Sequence, residues 1–189
     1  SQKLVNGLVI RGFSRFPTLP RFDEIYSTHS LAIASFPFYR GIAYLLGMDI
    51  AHGCLSFEDQ IQALKNNYDK YDFFFLHYKD SDCRGEDRNF IGKVQALEYL
   101  DSKLDEILSL GFDTVVITGD HSTPSLLGAH SHHAVPLAIN SKRNRGMDES
   151  KQFDERTFSK GYLGTVYGKD LMMMVLAAAG RLAKSEDFI

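Results

Sequence analysis

Three apolar runs constrain this chain most: residues 30–36 (SLAIASF), 72–78 (DFFFLHY) and 113–120 (DTVVITGD). Each is apolar without alternation. A strand with one wet face alternates, whereas a strand covered on both faces does not. All three therefore predict strands in the middle of a layered structure. Between them lie segments with helical spacing. Residues 38–47 (FYRGIAYLLG) end on Gly47, a helix stop. Residues 56–71 open on Ser56 with acidic residues just behind it, the pattern of a capped helix. Residues 91–111 place Val94, Leu97, Leu100, Leu104, Ile107 and Leu108 on one helix face, closed by Gly111. Residues 168–184 (GKDLMMMVLAAAGRLAK) predict a closing helix.

Strand and helix thus alternate, which predicts an α/β fold of α/β/α layers around a mainly parallel sheet. A shorter strand is expected at 135–140 (VPLAIN), and a strand or buried loop at 4–12 (LVNGLVIRG). Residues 13–22 and 80–90 read as loops, and 140–155 as a mobile surface loop. The length of 189 residues suits one domain over 1–189.

The net charge is -3 and the basic residues form no stripe, so neither nucleic acid nor a membrane surface is an expected partner. The apolar stretch 171–180 is too short to cross a bilayer, and the first residues carry no signal-peptide pattern. Cys54 and Cys83 form no CxxC pair, which points to a reduced, cytoplasmic protein.

Ligand sites in open parallel sheets lie at the carboxyl ends of the strands. The run at 113–120 delivers Asp120 and His121 to that edge. The run at 72–78 delivers His77, Lys79, Asp80 and Asp82, with Glu86 further on. His130 follows a Gly-containing loop. Carboxylates and imidazoles together suit a divalent ion of intermediate softness, such as Mn²⁺ or Zn²⁺. Adjacent side chains on extended backbone point to opposite sides, so Asp120 and His121 could serve two ions. Two ions can clamp a phosphoryl group, and Lys79 could neutralise a phosphate. Taken alone, an Asp-His pair after a strand also suits a helix cap with a solvated histidine, and acidic loops are commonly just solvated.

The segment ITGDHSTPSLLGAHSHHAVPL (117–137) resembles the C-terminal metal motif of the cofactor-independent phosphoglycerate mutases, archaeal-type branch. LHYKDSDCRGEDRNFIGKVQALEYLD (76–101), NGLVIRG (6–12) and LAIASFPFYRGIAYLLGMDI (31–50) are similar to further segments of that family, in the same order. The resemblance implies an alkaline phosphatase-like α/β/α sandwich with two divalent ions, Mn²⁺ ahead of Zn²⁺, Mg²⁺ or Co²⁺. It implies Asp120 and His121 on one ion, and Asp82 and His130 on the other. Glu86 stands where many relatives carry histidine, which shifts preference away from softer metals. Arg11, and with less support Arg40, fall near cationic substrate contacts. His132 and His133 match no ligand position.

The family's reaction interconverts 2- and 3-phosphoglycerate through a phosphoserine intermediate. Its nucleophilic serine and one further Asp ligand lie in the N-terminal part of a chain about twice this long, and no segment here matches them. Neither Ser122 nor Ser81 fills that role. The resemblance thus implies the C-terminal part of the metal-binding domain, inactive in isolation, whose partner is the N-terminal half. A metal-dependent phosphatase or phosphonate-processing enzyme of the same superfamily and a truncated, non-catalytic metal-binding module are the alternatives.

Overall fold

In the computed structural model, which describes residues 7–10, 12–143 and 152–182, helices and strands alternate as the sequence predicts up to residue 77, and beyond it come in pairs of like elements. Helix α1 (Phe22–Tyr26) leads into strand β1 (Ser30–Ala34), helix α2 (Pro37–Leu45) and the two-residue strand β2 (Asp49–Ile50). Helix α3 (Phe57–Asn67) and strand β3 (Phe73–His77) follow, then helices α4 (Asp80–Glu86) and α5 (Phe90–Leu108). Strands β4 (Thr114–Thr118) and β5 (Leu137–Ser141) and helices α6 (Glu155–Phe158) and α7 (Leu171–Ala179) complete the order.

Strand β1 lies between β2 and β3 in a parallel sheet, with Ser30 opposite Phe73 and Ala34 opposite His77. All five β1 residues are buried, as its unbroken apolar character requires. Successive side chains leave opposite faces of a strand. Leu31 and Ile33 accordingly pack with Phe57, Ile61 and Leu64 of α3 and Ile107 of α5. Ala32 packs with Ala43 of α2 and with Met48. One face of the sheet carries α3 and α5 and the other carries α2, which makes three layers. Burying a side chain such as Ile33 stabilises the fold by about 1.5–3 kcal/mol.

Local chemistry sets the helix starts. The Ser56 hydroxyl accepts from the Asp59 N–H at 3.1 Å, and the Asp59 carboxylate accepts from the Ser56 N–H at 2.9 Å. That reciprocal pair is the expected cap of α3. Helix α2 opens on Pro37, whose fixed φ suits a first helical turn.

Several expectations need correction. Strand β4 does not extend the parallel sheet among the described residues; it pairs antiparallel with β5, Thr114 opposite Ser141. Residues 80–86, expected as loop, form α4. Residues 7–10 are irregular and exposed, with Leu8 84% accessible, so that stretch is neither a strand nor a buried loop. The expected face of α5 is buried only at Ile107, while Val94, Leu97 and Leu108 are exposed. The closing helix stops at Gly180, whose φ of 68° is left-handed, a conformation that glycine adopts without penalty. Of the loop expected at 140–155, residues 144–151 lie outside the described residues, and 155–158 are helical. No helix among the described residues is long and apolar enough to cross a membrane.

Candidate metal centre

Helix α4 begins three residues after β3 ends, at the carboxyl edge of the parallel sheet. Asp82 and Glu86 are four residues apart on it, so both carboxylates lie on one helix face. Strand β4 ends at Thr118 and the chain turns through Gly119 into Asp120 and His121. The following loop folds back on itself. The Ser131 N–H donates to the Ser122 carbonyl at 2.9 Å, and Gly128 turns the chain with a φ of 61°. The return brings His130 against His121, with stacked rings whose centroids are 3.7 Å apart.

Two strand ends and one loop therefore converge. His130 Nε2 lies 3.7 Å from Asp82 Oδ1 and 3.4 Å from Glu86 Oε1. His121 sits between two carboxylates, its Nδ1 3.8 Å from Asp82 Oδ1 and its Nε2 3.4 Å from Asp120 Oδ2. One ligand atom each from Asp82, His121 and His130 fits within 4.8 Å. Two atoms that both bind an ion at about 2.1 Å are at most about 4.2 Å apart. The separations between Asp82 and each imidazole meet that limit. Carboxylate oxygens and imidazole nitrogens so placed are donors suited to Mn²⁺ or Zn²⁺.

The surroundings keep the carboxylates charged. Burial alone would raise the Asp82 carboxyl, but hydrogen bonds from the Lys79 ammonium and the Thr123 hydroxyl hold it below the usual range. Asp120 is also held low: burial works against ionisation, while the Tyr39 hydroxyl and the His121 imidazole favour it. Burial pushes His77 down, and its ring stacks on Tyr39 at 3.8 Å. The Lys93 ammonium donates to the Thr123 carbonyl at 2.6 Å, tying α5 to the loop after β4.

Asp82, Glu86, Lys79, Asp120, His121 and His130 thus share one region. Arg40 does not join them through any described contact; its guanidinium faces His52 Nδ1 at 3.5 Å. Arg11 lies outside the described residues. His132 and His133 stack on each other, and His133 Nδ1 meets the Ser131 hydroxyl at 2.8 Å. Tyr39 and Thr123 carry no functional signal in the sequence. Tyr39 sat in a helical pattern with no mark of a polar role. Thr123 lies within the motif 120–124 (DHSTP), where only the charged and imidazole residues invited a functional reading.

A family model described as "Metalloenzyme superfamily" matches residues 10–178. The chain is 47% identical over 95% of its length to a protein of Thermus thermophilus described as "Probable 2,3-bisphosphoglycerate-independent phosphoglycerate mutase". It spans only 45% of that relative. The PH0037 protein from Pyrococcus horikoshii has a similar structure, with a TM-score of 0.86 at 29% identity, over 92% of this chain and 56% of that one. The cofactor-independent phosphoglycerate mutase from Thermoplasma acidophilum shares the fold, with a TM-score of 0.68 at 20% identity, over 87% of this chain and 40% of that one.

Proposed function

This chain belongs to the metalloenzyme superfamily, and from that membership we propose that it is the C-terminal, metal-binding part of a phosphoglycerate mutase. The complete protein would interconvert 2- and 3-phosphoglycerate without 2,3-bisphosphoglycerate, as a cytoplasmic glycolytic enzyme. The observation that carries the proposal is the convergence of Asp82, Glu86, Asp120, His121 and His130 from two strand ends and one loop, in a chain so similar to proteins described as such mutases.

Asp120 and His121 hold one ion, and Asp82, Glu86 and His130 hold the other. Divalent ions there, Mn²⁺ foremost, supply Lewis-acid stabilisation of phosphoryl oxygens and lower the pKa of a coordinated hydroxyl. Lys79 is paired with Asp82 at the edge of the cluster, where its charge also attracts a phosphate. Arg11 and Arg40 are assigned to substrate by motif position alone.

The nucleophilic serine is proposed to come from an N-terminal half. Strands β3 and β4 both lead to candidate ligands, and each pairs on only one side among the described strands. Phe38, Ile42 and Tyr44 of α2 and Phe90, Ile91 and Leu97 of α5 are exposed, which gives further protein apolar surface to cover.

The test is a coupled assay from 3-phosphoglycerate with Mn²⁺. The 189-residue chain alone should give no turnover. Joined to the N-terminal half of the Thermus thermophilus relative, it should interconvert the two isomers, and Asp120→Ala should abolish this. Robust turnover by the chain alone would overturn the placement of the nucleophile. Phosphate release from simple monoesters by the joined protein, without interconversion, would favour the phosphatase reading.

A further inference from the structure

Thr123 is a buried polar residue that the proposed ligand set does not use. Only 4% of its surface is accessible, although it lies in the loop after β4. Its backbone is held by the Lys93 ammonium on its carbonyl. Gly85 of α4 packs directly against it, where a Cβ would run into that same carbonyl. The Thr123 hydroxyl is thereby fixed between two candidate ligands. It donates to Asp82 Oδ1 and lies 3.0 Å from His121 Nδ1.

We propose that Thr123 is a positioning residue that sets the tautomer of His121, so that His121 offers Nε2 to the Asp120 side of the centre. The deduction is a count of hydrogens. A threonine hydroxyl has one, and an ionised carboxylate can only accept. The Thr123 hydrogen therefore goes to Asp82. The contact with His121 is then a hydrogen bond only if Nδ1 carries the proton and donates to the Thr123 oxygen. In the neutral ring this leaves the lone pair on Nε2.

That nitrogen faces Asp120 Oδ2 at 3.4 Å. That approach does not have hydrogen-bond geometry, unlike the Nδ1 contact with Thr123, so the Nε2 lone pair and the Asp120 carboxylate are placed to share one ion. The other side of His121 is closed to a metal by the same hydroxyl, although Nδ1 is only 3.8 Å from Asp82 Oδ1. The Asp82 oxygens are instead shared among Lys79, Thr123 and the His130 side, where Nε2 is 3.7 Å away. Thr123 thus divides the cluster into Asp120 with His121, and Asp82 with Glu86 and His130. A single ion shared by Asp82, His121 and His130 does not agree with this division.

The tautomer assignment stands on the hydrogen-bond count alone; its consequence for metal binding rests on the proposed function. Two measurements separate them. The first is ¹⁵N NMR of the imidazoles in the metal-free 189-residue chain at alkaline pH. His121 should show a protonated Nδ1 and an unprotonated Nε2, and this pattern should be lost in Thr123→Val and kept in Thr123→Ser. A protonated Nε2 with a bare Nδ1 in the unaltered chain would overturn the proposal, whatever becomes of the variants. The second is Mn²⁺ titration. Thr123→Val should weaken binding by about 10- to 100-fold, the usual effect of losing a hydrogen-bond partner of a metal ligand, and Thr123→Ser should restore it. Unchanged affinity in Thr123→Val would also overturn the positioning role. Failure of every form to bind Mn²⁺ would count against the metal centre, while the NMR result would still decide the tautomer.

Discussion

The Tyr39 hydroxyl donates a hydrogen bond to Asp120 Oδ2, joining helix α2 to the end of β4 across 81 residues of sequence. Burial, reinforced by the Asp120 carboxylate, pushes the Tyr39 phenol well above its usual range, so it stays a donor at any physiological pH. The ring is also stacked on His77.

Tyr39 should therefore steady Asp120 as a metal ligand without touching the ion. Tyr39→Phe keeps the stacked ring and removes only the donor. Mn²⁺ affinity should fall about 10-fold or more, in line with other hydrogen bonds to metal ligands, while the circular dichroism of the metal-free chain stays the same. Calorimetric titration reads the first quantity, and wild-type affinity in the variant would refute the link.

Gly85 offers a test from the opposite side of the centre. It is buried in α4, and a Cβ there would collide with the Thr123 carbonyl and approach its Cγ2 to 3.0 Å. Backbone cannot yield as a flexible side chain can. Gly85→Ala should cost about 1–3 kcal/mol of stability, as overpacking does, despite the better helix propensity of Ala. Urea denaturation checks this, and a stabilised variant would mean that α4 moves away from Thr123 at no cost.

Much of this organisation was legible in the sequence. The unbroken apolar runs marked β1, β3 and β4 as strands, but only β1 is central and buried along its whole length. Among the described residues β3 lies at an edge of its sheet and β4 in a two-stranded sheet, and both are partly exposed. The Ser56 start of α3 was legible because capping is local chemistry. Helix α4 was not legible: DSDCRGE has no apolar periodicity, and its packing against Thr123 depends on residues almost 40 positions away. Nor could the pattern of β4 reveal that its described partner, β5, runs antiparallel. In the candidate centre, charge and imidazole marked the two strand ends, with His77, Lys79 and Asp80 among the candidates, and the family resemblance picked out Asp82, Glu86, Asp120, His121 and His130. Tyr39 and Thr123 gave no such signal, since their roles arise from which groups the fold sets beside them.

A pH prediction follows from Asp72, just before β3. A hydrogen bond from the Arg181 guanidinium, at 2.7 Å, holds its carboxyl below the usual range. A carboxyl lowered in the folded state adds stability above its unfolded value of about 3.9, and that contribution is lost as pH falls through the folded value. Both side chains are more than 40% exposed, which limits the pair to under about 1 kcal/mol. Arg181→Met should thus lower the unfolding midpoint by about 1–4 °C at pH 7. The difference from the unaltered chain should shrink as the pH drops below about 4. A gap that persists undiminished at low pH would assign the loss to packing rather than to the ion pair.

The metal centre itself is tested most directly by titrating Mn²⁺ into the 189-residue chain and into the Asp120→Ala, His121→Ala double variant, with heat release as the readout. The account predicts saturable binding of two ions by the unaltered chain and the loss of one of the two sites in the variant, because these two residues are assigned as ligands of one ion while Asp82, Glu86 and His130 hold the other. Equal binding by both proteins, or no binding by the unaltered chain, would contradict it.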